Sequence, residues 1–280
     1  MNFTSTILLF FICQIYFSQS FKWVKNITGL DDVEIKKIVH LQNDNFLLAG
    51  NYEGSINFDN QLISSIGNKD FFISKQDSSG NLIWIKSFGG FDDVEIEDIS
   101  VNNDNKIFIC GTFEGNILLD SILLSNTSGK NAFLAKLDSY GNLEWAKNFE
   151  SSDDVEANSI EIDFYRNKLS FLAEYESSVQ FDSINLISFG NKSLLFSRFN
   201  LNGTCDWFRE ISSQDEIKAN CLRHDSIGNI YCYGTFDGNI FFQNTILSNS
   251  SDKDIFLIKT DTLGNLVWTK TVGGSDDVEA

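Results

Sequence analysis

Apolar residues in this chain gather in runs of five to eight, each bounded by Asn, Asp, Gly or Ser. A representative stretch opens with Ile96 to Val101 and the polar turn Asn102-Asn103-Asp104-Asn105. It continues through Ile107-Phe108-Ile109-Cys110-Gly111-Thr112-Phe113 and a looser segment, Glu114 to Leu119, that runs on to Gly129. Ala132 to Leu137, the turn Asp138-Ser139-Tyr140-Gly141-Asn142 and Leu143 to Phe149 complete it. Four β-rich runs with turn chemistry between them predict a four-stranded antiparallel meander. A 3.6-residue apolar period is sustained nowhere, so the expectation is all-β. Runs such as Phe46-Leu47-Leu48-Ala49 and Ile230-Tyr231-Cys232-Tyr233 do not alternate. That pattern suits strands covered on both faces, which radial stacking of small sheets provides.

The plan recurs. The five tryptophans, Trp23, Trp84, Trp145, Trp207 and Trp268, are spaced 61, 61, 62 and 61 residues apart. The chain therefore reads as a tandem array with units at about 31–91, 92–152, 153–214 and 215–275 and a partial unit at 276–280. A Gly-x-aromatic-acid-Gly element recurs as Gly50 to Gly54, Gly111 to Gly115 and Gly234 to Gly238. An Asp-x-x-Gly-Asn turn precedes tryptophan at Asp77 to Asn81, Asp138 to Asn142 and Asp261 to Asn265. The third unit has drifted: it carries Ala173 and Ser177 where the others have glycine, and an extra residue near Phe164-Tyr165-Arg166.

The run D-x-x-G-N-x-x-W-x-K, followed by GG-x-x-D-D and a strand ending G-x-[FY]-x-G, resembles the seven-bladed β-propeller repeats of secreted bacterial proteins. Asp77 to Asp93 and Asp261 to Asp277 carry the match. The resemblance implies a β-propeller of four-stranded antiparallel blades over 21–280, with four full blades plus an orphan N-terminal strand, Phe21-Lys22-Trp23-Val24-Lys25. Because that strand lacks partners of its own blade, the expectation is an incomplete ring; a closed four-bladed ring is the competing arrangement.

Composition narrows the function classes. The net charge of −18, from 39 acids against 21 bases, argues against nucleic acid or an anionic membrane surface as partner. Ile7 to Phe17 is apolar but too short to span a bilayer, and Ser18-Gln19-Ser20 follows; residues 1–20 read as a secretory signal peptide, although the first residues hold no Lys or Arg. The expected location is secreted or cell-surface. Cys13 lacks the small residues of a lipoprotein cleavage site, so a lipid anchor is the minor alternative, and no later stretch is long enough for a membrane span. Cys110, Cys205, Cys221 and Cys232 share no repeat position; Cys221 and Cys232 are read as free thiols, with a bridge between neighbouring strands as the alternative.

The most tempting chemistry is an acidic motif, Asp31-Asp32-Val33-Glu34, Asp92-Asp93-Val94-Glu95, Asp153-Asp154-Val155-Glu156 and Asp276-Asp277-Val278-Glu279. Three carboxylates in four residues offer oxygen ligands to Ca²⁺. The fourth copy, Asp215-Glu216-Ile217-Lys218, puts a lysine at a ligand position, so a turn-capping role is preferred and no cofactor is assigned. The tryptophans are read as packing anchors rather than sugar platforms. His40 and His224 fall in different units, which disfavours a shared site. No G-x-S-x-G, HExxH or P-loop occurs. The preferred function is a non-enzymatic propeller for binding or adhesion, or a structural module, with an extracellular protein or glycan as partner. One rival is a polysaccharide hydrolase or lyase, for which Glu161 and Asp163 in the drifted unit are the best candidates. A calcium-stabilised scaffold is the other.

Overall fold

The computed structural model describes residues 24–29, 31–249 and 253–274. The expected signal peptide at 1–20, Trp23 and the acidic motif at 276–279 lie outside them. The described residues form antiparallel sheets of seven, four, six and four strands and no helix. At the heart of each sheet lies one meander. The first is Val33–His40, Phe46–Phe58, Gln61–Gln76 and Leu82–Gly90. The second is Val94–Val101, Ile107–Phe113, Asn131–Leu137 and Leu143–Phe149. The third is Val155–Asp163, Lys168–Phe181, Ile184–Asn200 and Cys205–Ser213. The fourth is Ile217–His224, Ile230–Phe236, Asp254–Thr260 and Leu266–Val272. Among the described residues no strand of the fourth sheet pairs with one of the first, so the sheets form an open succession.

Consecutive sheets stack face to face, which is why strands such as Phe46 to Ala49 and Asn131–Leu137 are apolar without alternating. In the fourth sheet Ile230 to Tyr233, expected to be covered on both faces, instead alternates, with Tyr233 exposed. Phe71, Ile73 and Phe88 of the first unit meet Val94, Ile96, Ile99 and Phe133 of the second. Ala132 and Leu134, the neighbours of Phe133 along the same strand, point the other way, toward Val155, Ala157 and Phe171 of the third unit. Leu194 and Phe196 carry the seam on to Ile217, Leu222 and Phe256. At about 25 cal/mol per Å² of apolar surface, these seams are the main source of stability.

The segment left loose by the sequence pattern is ordered. In the second unit it is a hairpin, Ile117–Leu119 with Ile122–Leu124, and in the fourth Asn239–Phe242 with Thr245–Ser248. Each pairs with the last strand of the preceding sheet, through Gly89↔Leu118 and Ile211↔Phe242. In the first and third units the corresponding chain instead prolongs the second and third strands. Thr28–Gly29 pairs with Ile56 and Asn57 of that prolongation, while Val24 to Ile27 are not strand.

The units therefore alternate, and the residues follow. Ser65-Ile66-Gly67-Asn68-Lys69 and Ser188-Phe189-Gly190-Asn191-Lys192 lie within the long third strands of units one and three, although the ladder to the second strand skips from Lys69 to Ser64 and from Lys192 to Ile187. In unit two Asn126 closes a loop instead, its Nδ2 donating to the Phe113 and Gly129 carbonyls. One position of the second strand reads Tyr52, Phe113, Tyr175, Phe236, and an earlier position reads Leu47, Phe108, Ser170, Tyr231. The aromatic rings at Phe108 and Tyr231 stand edge-on to Trp145 and Trp268.

One glycine explains how the third unit drifted. Gly111 sits opposite Phe133 across the ladder, and a Cβ there would lie 2.5 Å from the phenyl ring and 2.0 Å from the Glu95 carbonyl. Gly50 opposite Phe72 and Gly234 opposite Phe256 repeat this, whereas in the third unit Ala173 faces the smaller Leu195. We expect Gly111→Ala to cost about 1–3 kcal/mol by overpacking. Adding Phe133→Leu recovers part of that loss, a coupling of about 1 kcal/mol measurable by denaturant unfolding of the double-mutant cycle. Strictly additive losses would contradict this account.

Candidate binding site on the first strands

The first strands of neighbouring units lie against one another and build a continuous wall. Each carries a β-bulge at the same place, between Ile35 and Lys37, Ile96 and Asp98, Ala157 and Ser159, and Ala219 and Cys221. A bulge re-aims side chains, and here it turns them toward the next unit. The residues just past it are Lys37, Asp98, Ser159 and Cys221; two further on stand Val39, Ser100, Glu161 and Arg223.

Lys37 Nζ donates to Asp98 Oδ1 at 2.5 Å. Ser159 Oγ and the Ile160 amide donate to Asp98 Oδ2 at 3.1 and 3.0 Å. The Leu222 amide in turn donates to Ser159 Oγ at 3.3 Å. Asp98 is thus buried with its charge fully satisfied, the condition under which a buried carboxylate is tolerated. Glu161 lies beside Arg223, 3.5 Å from Nη1, and burial pushes its carboxyl above the usual range while Arg223 and Lys37 pull it back. Glu97, beside Lys36 at 3.2 Å, is raised for the same reason.

At one end of this wall is a cavity of about 550 Å³, lined by Lys37, Gln42, Asn103, Glu161, Phe164 and Arg223 among others. Gln42 Nε2 donates to Asn103 Oδ1 at 3.2 Å across the first two units. Phe164 belongs to the extra residues of the third unit. Their turn is pinned from below by Asp163, which accepts from the Tyr165 and Arg166 amides and pairs with Arg198 at 2.9 Å, both side chains almost fully buried. Glu161 and Asp163, grouped by sequence as a possible carboxylate pair, consequently have separate roles: Glu161 borders the cavity and Asp163 holds the turn.

The acidic motifs sit at the opposite end, where their main-chain carbonyls and their glutamate side chains take different partners. The first aspartate packs against a glycine: a Cβ on Gly54 would lie 2.2 Å from Asp31 Oδ2, and one on Gly115 2.1 Å from Asp92 Oδ2. The carbonyls of Asp32, Asp93 and Asp154 accept the amides of Glu53, Glu114 and Glu176, and Asp153 takes its own amide bond to Ser151 Oγ. The glutamate pairs across the seam, Glu95 with Lys69 at 3.5 Å and Glu156 with Lys130 at 3.6 Å, while Glu34 turns to Lys36 at 3.4 Å. In the fourth unit, where Lys218 replaces the glutamate, Lys192 pairs with Glu174 at 3.5 Å and Glu176 at 3.7 Å instead. A polar depression of about 250 Å³ lies here, between Asp93, Glu95, Glu97, Glu156, Lys130 and Lys218. Among the described residues no three His, Cys, Asp or Glu side chains converge as metal ligands.

The tryptophans bind seams as well. The indoles of Trp145 and Trp207 donate to the Leu201 and Thr262 carbonyls of the next unit, each at 3.2 Å, and Trp84 packs on the turn at Gly141. Trp268 stands edge-on to Tyr231. The four described cysteines are free thiols. Burial raises the Cys221 thiol and takes Cys205 up to about 11, so neither is an activated nucleophile. His40 is exposed beside Asp44 at 3.6 Å. His224, within 3.0 Å of Ser170 Oγ, is held down to about 4 by burial.

Motif reading missed Lys37, Asp98 and Arg223, because the search favoured residues that recur. The signal lay in the opposite property: aligned on the bulge, the first strands are where the units disagree in charge.

No family model matches the chain, and no curated protein matches it. Among solved structures it is similar to a crystal structure of a protein of unknown function from Bacteroides caccae, with 10% identity, 86% of this chain and 82% of that one covered, and a TM-score of 0.35. A likeness at that level supports no argument about function.

Two outcomes are expected. Because the histidine is depressed from 6.5 to about 4, its contribution is complete above pH 6.5 and lost as pH falls toward 4, on the order of 3 kcal/mol. His224→Asn therefore shows a flatter stability–pH curve over that window in denaturant titrations; an unchanged curve would remove His224 as its cause. Because the motif glutamates are paired with lysines and Asp154 Oδ1 accepts the Lys130 amide, millimolar Ca²⁺ or a chelator is expected to leave the melting temperature unchanged. A site filled at a hundred times its dissociation constant would add about 2.7 kcal/mol.

Proposed function

We propose that the chain is a secreted, non-enzymatic β-propeller module that binds an extracellular protein or glycan at the first-strand cavity. One observation carries this reading. Seam residues repeat from unit to unit, whereas the cavity is bordered by Lys37, Glu161 and Arg223, charged residues from three different units at the bulge or two residues past it, with Asp98 buried behind Lys37. Stacking needs no such variety, and convergent polar groups around a concavity are what a binding site needs. The propeller assignment is supported by stacked four-stranded meanders at 61- and 62-residue offsets and by the resemblance of their turns. Seven blades is the number that resemblance suggests. Export is supported by residues 1–20. No helix among the described residues is long and apolar enough to cross a membrane.

Binding is favoured over glycoside hydrolysis because that chemistry uses two carboxylates flanking one bond. Here Asp163 is committed to Arg198, and Asp98 to Lys37 and Ser159. Glu161 is left without a partner carboxylate free to act. The test is retention on a glycan array and a displayed-peptide library, run side by side with wild type and an Arg223→Ala/Glu161→Gln variant. The proposal expects selective retention on one of them, weakened at least tenfold in the variant with an unchanged melting curve. Retention on neither, or identical retention by both proteins, would overturn it. Release of reducing ends by wild type alone would point to hydrolysis.

A further inference from the structure

We infer that the cavity takes a pyranose ring of a polysaccharide, with Phe164 as the stacking platform and the Glu161–Arg223 pair and the Gln42 and Asn103 amides as hydroxyl partners. This rests on the reading of the cavity as the binding site and narrows its ligand to one class.

The platform is the least expected part of the wall. The other units turn between their first two strands with Gln42-Asn43-Asp44, Asn103-Asp104-Asn105 and Ser226-Ile227-Gly228. The third unit alone inserts a residue there and places Phe164 at the cavity with nearly half of its surface, 46%, open to solvent. An exposed aromatic on a floppy loop would mean little. This one stands on a built support: Asp163 is only 1% exposed at its side chain, caps the turn through two amides and is locked to Arg198, whose Nη1 also donates to the Thr262 carbonyl of the next unit. A buried charged pair beneath a solvent-facing ring holds the ring's orientation in advance of binding.

The remaining groups fit the other surface of a sugar. A pyranose offers an apolar C–H face, which an aromatic ring accepts, and an edge of hydroxyls that both donate and accept. Glu161 supplies acceptors and Arg223 donors. Their contact, at 3.5 Å, is long for a charge-assisted bond, and the Arg223 side chain is 57% exposed, so a hydroxyl can enter between them without exposing an unpaired buried charge. Gln42 and Asn103 add amides of both polarities from the first two units.

Competing ligands match less well. A phosphorylated polyanion needs unpaired cations, yet Lys37 is taken by Asp98 and the chain carries a net charge of −18. A metal ion needs convergent ligands, which the described residues do not offer. A hydrophobic peptide anchor would match Ile38, Val39, Ile99 and Val101 in the lining but would leave the Gln42 and Asn103 amides and the Glu161–Arg223 pair without new partners.

Affinity electrophoresis in gels containing laminarin, pullulan, xylan, alginate or pectate tests this, with neutral and uronate polymers as separate arms. Wild type is expected to be retarded in at least one gel. Phe164→Ala should lose at least tenfold in affinity, and Phe164→Trp, which keeps a stacking face, should retain it. Matched melting curves exclude misfolding. No retardation in any gel, or retardation that Phe164→Ala leaves intact, overturns the saccharide assignment. If Arg223→Ala still abolishes retention on the peptide library in that case, the cavity remains the binding site and only the ligand class falls; if it does not, both fall.

Discussion

The second and third sheets bury apolar side chains on both of their faces, so their cores are shared with the neighbouring units. Phe133 and Leu134 are neighbours along one strand and belong to different seams. The stacking of sheet on sheet is therefore the interaction on which everything else depends. Within a sheet, Gly111 leaves room for the Phe133 ring to take its place in the seam. Stacking requires the polar periphery of each seam to be satisfied, met by the Lys69–Glu95 and Lys130–Glu156 pairs and the two indole hydrogen bonds. Half-exposed ion pairs add little energy each, so they mark register more than they supply stability.

That constraint also says where variation is allowed. Strands in the middle of the second and third meanders press on two neighbouring sheets, and their residues repeat or change in compensating pairs, as Gly111–Phe133 and Ala173–Leu195 do. First strands have a bulged position whose side chain turns toward the next unit, where the chain carries lysine, aspartate, serine and cysteine in succession. Asp98 and Ser159 are buried there in a hydrogen-bonded relay rather than in apolar packing. Specific chemistry is written where the units meet through polar contacts.

Much of the architecture was readable in the sequence. The four runs and their turns, the absence of helix among the described residues and the two-faced burial of the middle sheets followed from run length, turn residues and missing alternation. The fourth sheet departs from it, its strand Asp254–Thr260 alternating in burial. The hairpins at 117–124 and 239–248 were not read, because three- and four-residue strands leave no periodic signal and gain their order by pairing with the preceding sheet. The alternation of unit types was hidden by the 61-residue spacing itself, which superposes Tyr52 on Phe113 and treats the difference as noise. At the site, Glu161 was noticed for standing in the drifted unit. Arg223 and Asp98 were not, since pairing across units is a property of the bulge register and not of any local motif.

The central claim is that binding and stability live on separable sets of residues. Saturation mutagenesis of the whole chain, scored in parallel for surface expression and for polysaccharide retention, tests it most directly. The account predicts that substitutions at Gly111, Trp145 and Phe149 lose both signals, whereas those at Glu161, Phe164 and Arg223 keep expression and lose retention. Retention-specific positions scattered over the hairpins or the acidic motifs, with the first-strand wall tolerant, would contradict it.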